Sequence, residues 1–392
     1  MAADSPSQQP TTIPNWSARI PALDGLRGIA ILLVLLRHAV FGVSSVQGIE
    51  THSRLTFLFL TAGQLTWSGV DLFFVLSGFL IGGILLDARP SPLYFQTFYL
   101  RRIYRILPLY FVVIGLSLLP RLLAEFSPAR AARISPLPYP WWTYLLFIQN
   151  FWMAHLGTFG PSGIGITWSL AIEEQFYLTI PLLIRKVRPR NLLIVLLMVI
   201  VCAPWLRVLL QSSMMFPGLA SYVLMPTRAD ALCLGVLAAL LVRNAVFWEW
   251  LNTHRSILWS VTLLFFAGTC YMTWQGYDAL SVPMTTWGFS WLAVYYTCIL
   301  FLAILPGNGV VPRILTNKTL MWLGTLAYCS YLVHVAVMNA IRHPLKVHFL
   351  EYPVAAWLTG GILGMMLTLA IASLSYKYFE KPLLRRGHQY TY

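Results

Sequence analysis

Residues 23–38 read LDGLRGIAILLVLLRH, an apolar run entered past Asp24 and Arg27 and left through Arg37 and His38. On an α-helix the eleven residues from Arg27 to His38 turn through about 1100°, which is three full turns plus about 20°. The two side chains therefore lie on nearly one face, ~16 Å apart along the axis. An ionisable residue inside a membrane helix is costly and is a functional candidate by default. The pair suggests a membrane enzyme with a charged docking point at one surface and a base partway across.

Composition supports a membrane setting. The chain has 392 residues, 58% of them hydrophobic and 10% charged, and a mean hydropathy of +0.69. Soluble domains are about a quarter charged, so there are too few charges here to cover a soluble surface. A formal charge of +14 would favour nucleic acid in a soluble protein. Here the basic residues gather at the ends of apolar runs, which is the positive-inside pattern, and no nucleic-acid partner is expected. Cys202, Cys233, Cys270, Cys298 and Cys329 stand singly within apolar runs. No spacing among them matches a disulfide framework or a zinc site, and no metal is expected.

Windows of about 20 apolar residues fall at 26–44, 66–86, 104–119, 168–184, 191–210, 220–242, 256–274, 286–305, 319–340 and 353–376. The expected fold is all-α: a polytopic membrane helix bundle of about ten transmembrane helices. Basic clusters at Arg101, Arg102 and Arg105, at Arg185–Arg190 and at Lys377–Arg386 then all face the cytoplasm, with both termini inside. Counting 141–156 as a further crossing would put Arg185–Arg190 outside. That short aromatic stretch is therefore assigned as re-entrant or interfacial, its tryptophans suiting the headgroup belt. Residues 1–21 form an expected disordered cytoplasmic tail with no cleavable signal, 22–386 the transmembrane domain, and 387–392 a C-terminal tail.

Several polar residues interrupt the apolar runs. Arg27 is a candidate anion anchor that could equally snorkel to the interface. His38 is a candidate general base, since an imidazole in lipid needs a partner. Arg102 and Arg105 share a helix face, and forked guanidinium groups suit phosphates, although anchoring to anionic lipid is the plainer explanation. Glu173 and Glu174 enter a span from its outer end. Adjacent helical residues point about 100° apart, so one of them is expected to face the interior and orient the histidine or bind a sugar hydroxyl. Asp71, Arg228, Asp230, Tyr331 and His334 complete the set as candidate substrate contacts. Arg228 and Asp230 read as well as an internal salt bridge, and Gly78, Gly82 and Gly83 near Asp71 suggest tight helix packing. Arginines gather inside, while acids and histidines lie in the middle and outer half. A ligand with a polyphosphate head and a long arm fits that direction, and coenzyme A thioesters have that shape.

At these residues the chain resembles the membrane acyltransferase-3 family, the integral-membrane carbohydrate O-acyltransferases. The matching elements are LDGLRG with Arg27 and His38, VDLFFVLSGFLI, RRIYRILP, TWSLAIEEQFY, TRADALCLG, YCSYLVH and SYKYFEKP, in that order from Leu23 to about Arg386. The resemblance implies transfer of an acyl group, commonly acetyl, from cytoplasmic acyl-CoA to a hydroxyl of a glycan or glycolipid. It implies a multi-pass location in a bacterial inner (plasma) membrane. It casts His38 as catalytic with Arg27 as its paired arginine, Arg102 and Arg105 as coenzyme contacts, and Glu173 and Glu174 as the acidic pair. Many relatives carry an extra esterase-like domain at the C-terminus. This chain, ending soon after Arg386, is expected to lack it. Acyl length, oligomeric state and acceptor stay open, a secondary metabolite such as a macrolide included. A transporter of an anionic or acyl substrate would use the same arginines and acids.

Overall fold

The computed structural model describes residues 14, 16, 18–42, 61–124, 137–211, 218–307, 309–348 and 353–392, and among them every regular element is helical. The helices are α1 Pro21–Ala39, α2 Gly69–Ala88, α3 Tyr94–Ala124, α4 Trp142–Leu145, α5 Gln149–Leu156, α6 Trp168–Lys186, α7 Pro189–Gln211 and α8 Ala220–Val223. The second half adds α9 Met225–Leu241, α10 Ala245–Thr253, α11 Arg255–Trp274, α12 Phe289–Ile304, α13 Val310–Leu315, α14 Lys318–His348, α15 Pro353–Ser375 and α16 Lys381–His388.

Eight helices among the described residues are long and apolar enough to cross a membrane. α1 and α6 are 19 residues each, about 28 Å at 1.5 Å per residue, which also matches a ~30 Å hydrocarbon core. They are less apolar because they carry Asp24, Arg27 and Arg37, and Glu173, Glu174, Arg185 and Lys186, respectively. The chain is thus a multi-pass membrane protein, and α1 and α6 carry several of the sequence's leading site candidates.

In lipid, helices associate through close packing rather than through the hydrophobic effect. α1 shows how the sequence provides for this. A side chain at Gly28 would collide with the carbonyl oxygen of Leu320, and one at Gly324 with that of Asp24. Bare backbone at both positions lets α1 and α14 touch. The Gly78 prediction holds in the same way: α2 meets α9 where Gly78 and Gly235 face each other, with the carbonyls of Leu232 and Val75 in the way of any added side chain. α1 is surrounded by α14, α2, α15 and α12, so both ends of its polar face are enclosed by protein.

The 141–156 stretch divides into α4 and α5, each too short to cross a membrane. Its outer side exposes Trp141, Trp142, Phe151 and Trp152. Its inner side is tied to α6 by amides: Gln149 Nε2 donates to the Thr167 carbonyl (3.1 Å), and Gln175 Nε2 donates to the Phe147 carbonyl (2.8 Å) and to Asn150 Oδ1 (2.9 Å).

Both expected tails are described, the first in part. Pro21 already belongs to α1, and Trp16 packs edge-on against Trp248 at 5.3 Å. Residues 1–13, 15 and 17, which carry the rest of the disorder expectation, lie outside the described residues. At the other end the last residues dock on α3. Arg101 Nε donates to the Tyr390 carbonyl (2.8 Å), Thr97 Oγ1 donates to the Thr391 carbonyl (2.9 Å), and the Arg101 guanidinium lies over the Tyr392 ring. The Tyr390 ring stacks on that of Tyr104 of α3, with centroids 6.1 Å apart.

Candidate functional site

Two cavities lie along α1. The first, about 370 Å³, is lined by Arg27, Arg102, Arg105, Glu173 and Tyr177 together with Tyr331 at its deep end. The second, about 390 Å³, is lined by Arg37, His38, Trp67, Trp168 and Tyr222, again with Tyr331. Val70 and Tyr331 belong to both linings, so the two cavities meet at these side chains. The Tyr331 hydroxyl is held there by Ser169 Oγ (2.6 Å) and donates to the Ile166 carbonyl (3.0 Å).

The first cavity is lined by four arginines, Arg19, Arg27, Arg102 and Arg105, against three carboxylates, Asp24, Glu173 and Glu380. Arg27 shares Asp24 with Arg19, at 3.6 and 2.7 Å. Arg102 and Arg105 pair with no carboxylate among the described residues, and Arg102 Nε is buried without a hydrogen-bond partner. Guanidinium groups left uncompensated at a cavity are what an anionic ligand completes. Three-residue spacing on α3 brings both to the cavity, as the sequence indicated.

The two glutamates differ. Glu173 lines the arginine cavity and accepts from the Tyr177 hydroxyl (3.3 Å), which also meets Ser77 Oγ (2.6 Å). Glu174 is in neither lining, and its Oε1 is buried without a partner. Among the described residues neither glutamate bonds to His38. The group that does is His334: its Nε2 lies 3.2 Å from His38 Nδ1, and the rings stand edge to face at 4.7 Å. The side chain that meets the His38 ring is thus a histidine on α14 and neither of the two glutamates.

Asp71, Arg228 and Asp230 line neither cavity. Asp71 binds Arg228 and Asp230 binds Arg207 (2.9 Å), with every partner at most 1% exposed. Arg207 is further satisfied by the carbonyls of Thr227 and Thr286 and by Ser290 Oγ. The Arg228 guanidinium lies 3.7 Å above the Phe289 ring. These residues tie α2, α7, α9 and α12 together, the internal-salt-bridge alternative.

Sequence reasoning passed over Arg342. It is buried, and its Nη2 donates to the carbonyls of His38 (2.7 Å) and Ala39 (3.0 Å). A cation on the last carbonyls of a helix satisfies them and complements the helix dipole, so Arg342 anchors the turn that carries His38. Arg207 was missed as well. For Arg207 the signal was a single charge inside an apolar span, whereas Arg342 lies just past the 319–340 window.

The pattern of the acyltransferase-3 family, described as an acyltransferase domain, matches residues 20–377. Among curated proteins, YrhL of Bacillus subtilis strain 168 is 29% identical over 94% of this chain and 55% of its own length. The peptidoglycan O-acetyltransferase OatA of Listeria monocytogenes is 26% identical over 94% of this chain and 56% of its own length. The O-acetyltransferase OatA of Staphylococcus aureus is 23% identical over 94% and 58%. The chain thus spans little more than half the length of these relatives. No solved structure matches it. With the pattern covering α1 through α15, the chain belongs to the acyltransferase-3 family.

Proposed function

We propose that this chain is a membrane O-acyltransferase that moves an acyl group, acetyl in the simplest case, from acyl-CoA to a glycan hydroxyl. The observation that carries the proposal is the pair of cavities meeting at Tyr331, one lined by unpaired arginines and the other by His38. The phosphates of the coenzyme dock on Arg102, Arg105 and Arg27 from the cytoplasmic side. Its extended arm runs along α1, and the rise from Arg27 to His38, ~16 Å, is a length such an arm spans. The acceptor enters the second cavity, where the rings of Trp67, Trp168 and Tyr222 and the polar Arg37 and Asp278 suit the apolar faces and polar rim of a sugar.

His38 then acts as general base. The acceptor hydroxyl gives its proton to the imidazole as its oxygen bonds to the thioester carbonyl carbon. The carbon–sulfur bond breaks, and the departing thiolate recovers the proton from the ring. The relatives' names support the acyl group as acetyl and peptidoglycan as an acceptor.

The test is purified protein in liposomes, supplied with radiolabelled acetyl-CoA and peptidoglycan fragments. Release of free coenzyme thiol with label on the glycan is expected. Passage of label across the bilayer with the thioester intact would replace the enzyme with a transporter.

A further inference from the structure

The ring nitrogens of the two histidines have only one consistent set of protons. His334 Nδ1 lies 2.7 Å from the Tyr331 carbonyl oxygen and 3.2 Å from that of Ser330. Carbonyls only accept, so this nitrogen carries a hydrogen, and in the neutral ring Nε2 holds the lone pair. That lone pair faces His38 Nδ1 at 3.2 Å. His38 Nδ1 also faces the Val34 carbonyl oxygen at 3.0 Å. With acceptors on both sides, His38 Nδ1 carries a hydrogen as well. The lone pair of His38 is therefore on Nε2, the ring nitrogen that bonds to no protein group among the described residues.

We propose that His334 is the positioning residue for His38. It holds His38 in the Nδ1–H tautomer, and its Nε2 lone pair stabilises the imidazolium that forms when His38 Nε2 takes a proton. The inference rests on the acyl-transfer reading and specifies which atom is the base. It removes His334 from the substrate contacts that the sequence suggested. A neutral histidine here stands where a carboxylate orients the base of a catalytic triad. Here it does so without a buried carboxylate: His334 is fully buried and no carboxylate bonds to either ring among the described residues.

The proton path closes on itself. The acceptor O–H proton moves to His38 Nε2 as the carbon–oxygen bond forms. The His38 Nδ1–H bond to His334 Nε2 shortens while the ring is cationic. When the carbon–sulfur bond breaks, the thiolate takes the Nε2 proton, and both rings return to their starting tautomers. His334 Nδ1 stays on its two carbonyls throughout.

The experiment measures thiol release from acetyl-CoA by wild type, H334F, H334Q and H38A in liposomes. Phenylalanine keeps the ring shape and removes the acceptor. Glutamine offers an amide oxygen to His38 and an amide N–H to the carbonyls. H334F is expected to lower kcat by roughly 10–100-fold, a share of what a positioned base supplies, with KM for acetyl-CoA unchanged. H334Q is expected to return to within a few-fold of wild type, and H334F to add nothing to H38A. H334M, unbranched and adaptable, replaces H334F if the phenyl ring prevents insertion. H334F or H334M at wild-type kcat overturns the inference, and so does H334Q as impaired as the apolar variant, which would mark a packing role. In either case an inactive H38A leaves the acyl-transfer reading standing, whereas a fully active H38A removes that reading itself.

Discussion

Two groups of polar side chains lie within this bundle, one fully buried and one half-buried at cavities, and they are partnered in opposite ways. Between α2, α7, α9 and α12, Asp71, Arg207, Arg228 and Asp230 close on one another and line no cavity. Along α1, α3 and α6, Arg102 and Arg105 face open space without a carboxylate partner, and His38 faces a second space with one ring nitrogen unengaged. The residue types and the apolar surroundings are similar. Whether a buried charge has its counter-charge in the fold separates a structural clasp from a ligand site. The clasp is complete within the fold, and the other group is the one to which the proposed function assigns a ligand.

Substitutions should separate the two groups, and the largest effect belongs to His38. H38A should insert normally and lose about 10²–10⁴-fold in turnover, read as thiol release; a variant at wild-type rate would merge the two groups. Next is the clasp. D230A strands Arg207 in apolar surroundings and should cost about 3–5 kcal/mol, seen as lowered unfolding temperature in detergent. The double variant R207M/D230L should recover most of that loss, because apolar packing can stand in for a buried pair. R102A and R105A should behave in the reverse manner. Each removes charge-assisted hydrogen bonds worth about 1.5–3 kcal/mol, so KM for acetyl-CoA rises at least tenfold by that conversion while unfolding temperature holds. The smallest effect tests the glutamates. E174Q, outside both cavities, should leave turnover within roughly twofold of wild type, whereas E173Q should lower kcat/KM by more; equal losses would deny that only Glu173 faces the cavity.

Much of this was legible in the residues. Long apolar runs marked each long helix, because a membrane span must satisfy its backbone internally and present apolar side chains, but α3 begins at Tyr94 rather than 104 and α14 runs to His348 rather than 340. The α1 start was misplaced, at 26 rather than Pro21, since Asp24 and Arg27 interrupt the apolarity there and are enclosed by α14 instead of lipid. The helical period placed Arg27 and His38 on one face, and the structure has both facing cavities along α1. The choice between Glu173 and Glu174 was not legible. Period says that adjacent residues diverge, and only the neighbouring helices decide which of them meets the cavity.

The sequence by itself determined the solvent, the helices and the types of group available. Hydropathy and helical spacing are local properties, summed over a few turns of chain. Tertiary structure alone decided the pairings. His334 stands 296 residues from His38, Arg342 304 from the carbonyl it anchors, and Arg228 157 from Asp71. No local pattern encodes such distances. They follow from where glycine lets backbones touch, as at Gly28 and Gly324, and that contact sets which buried charge finds a partner and which one is left facing a cavity.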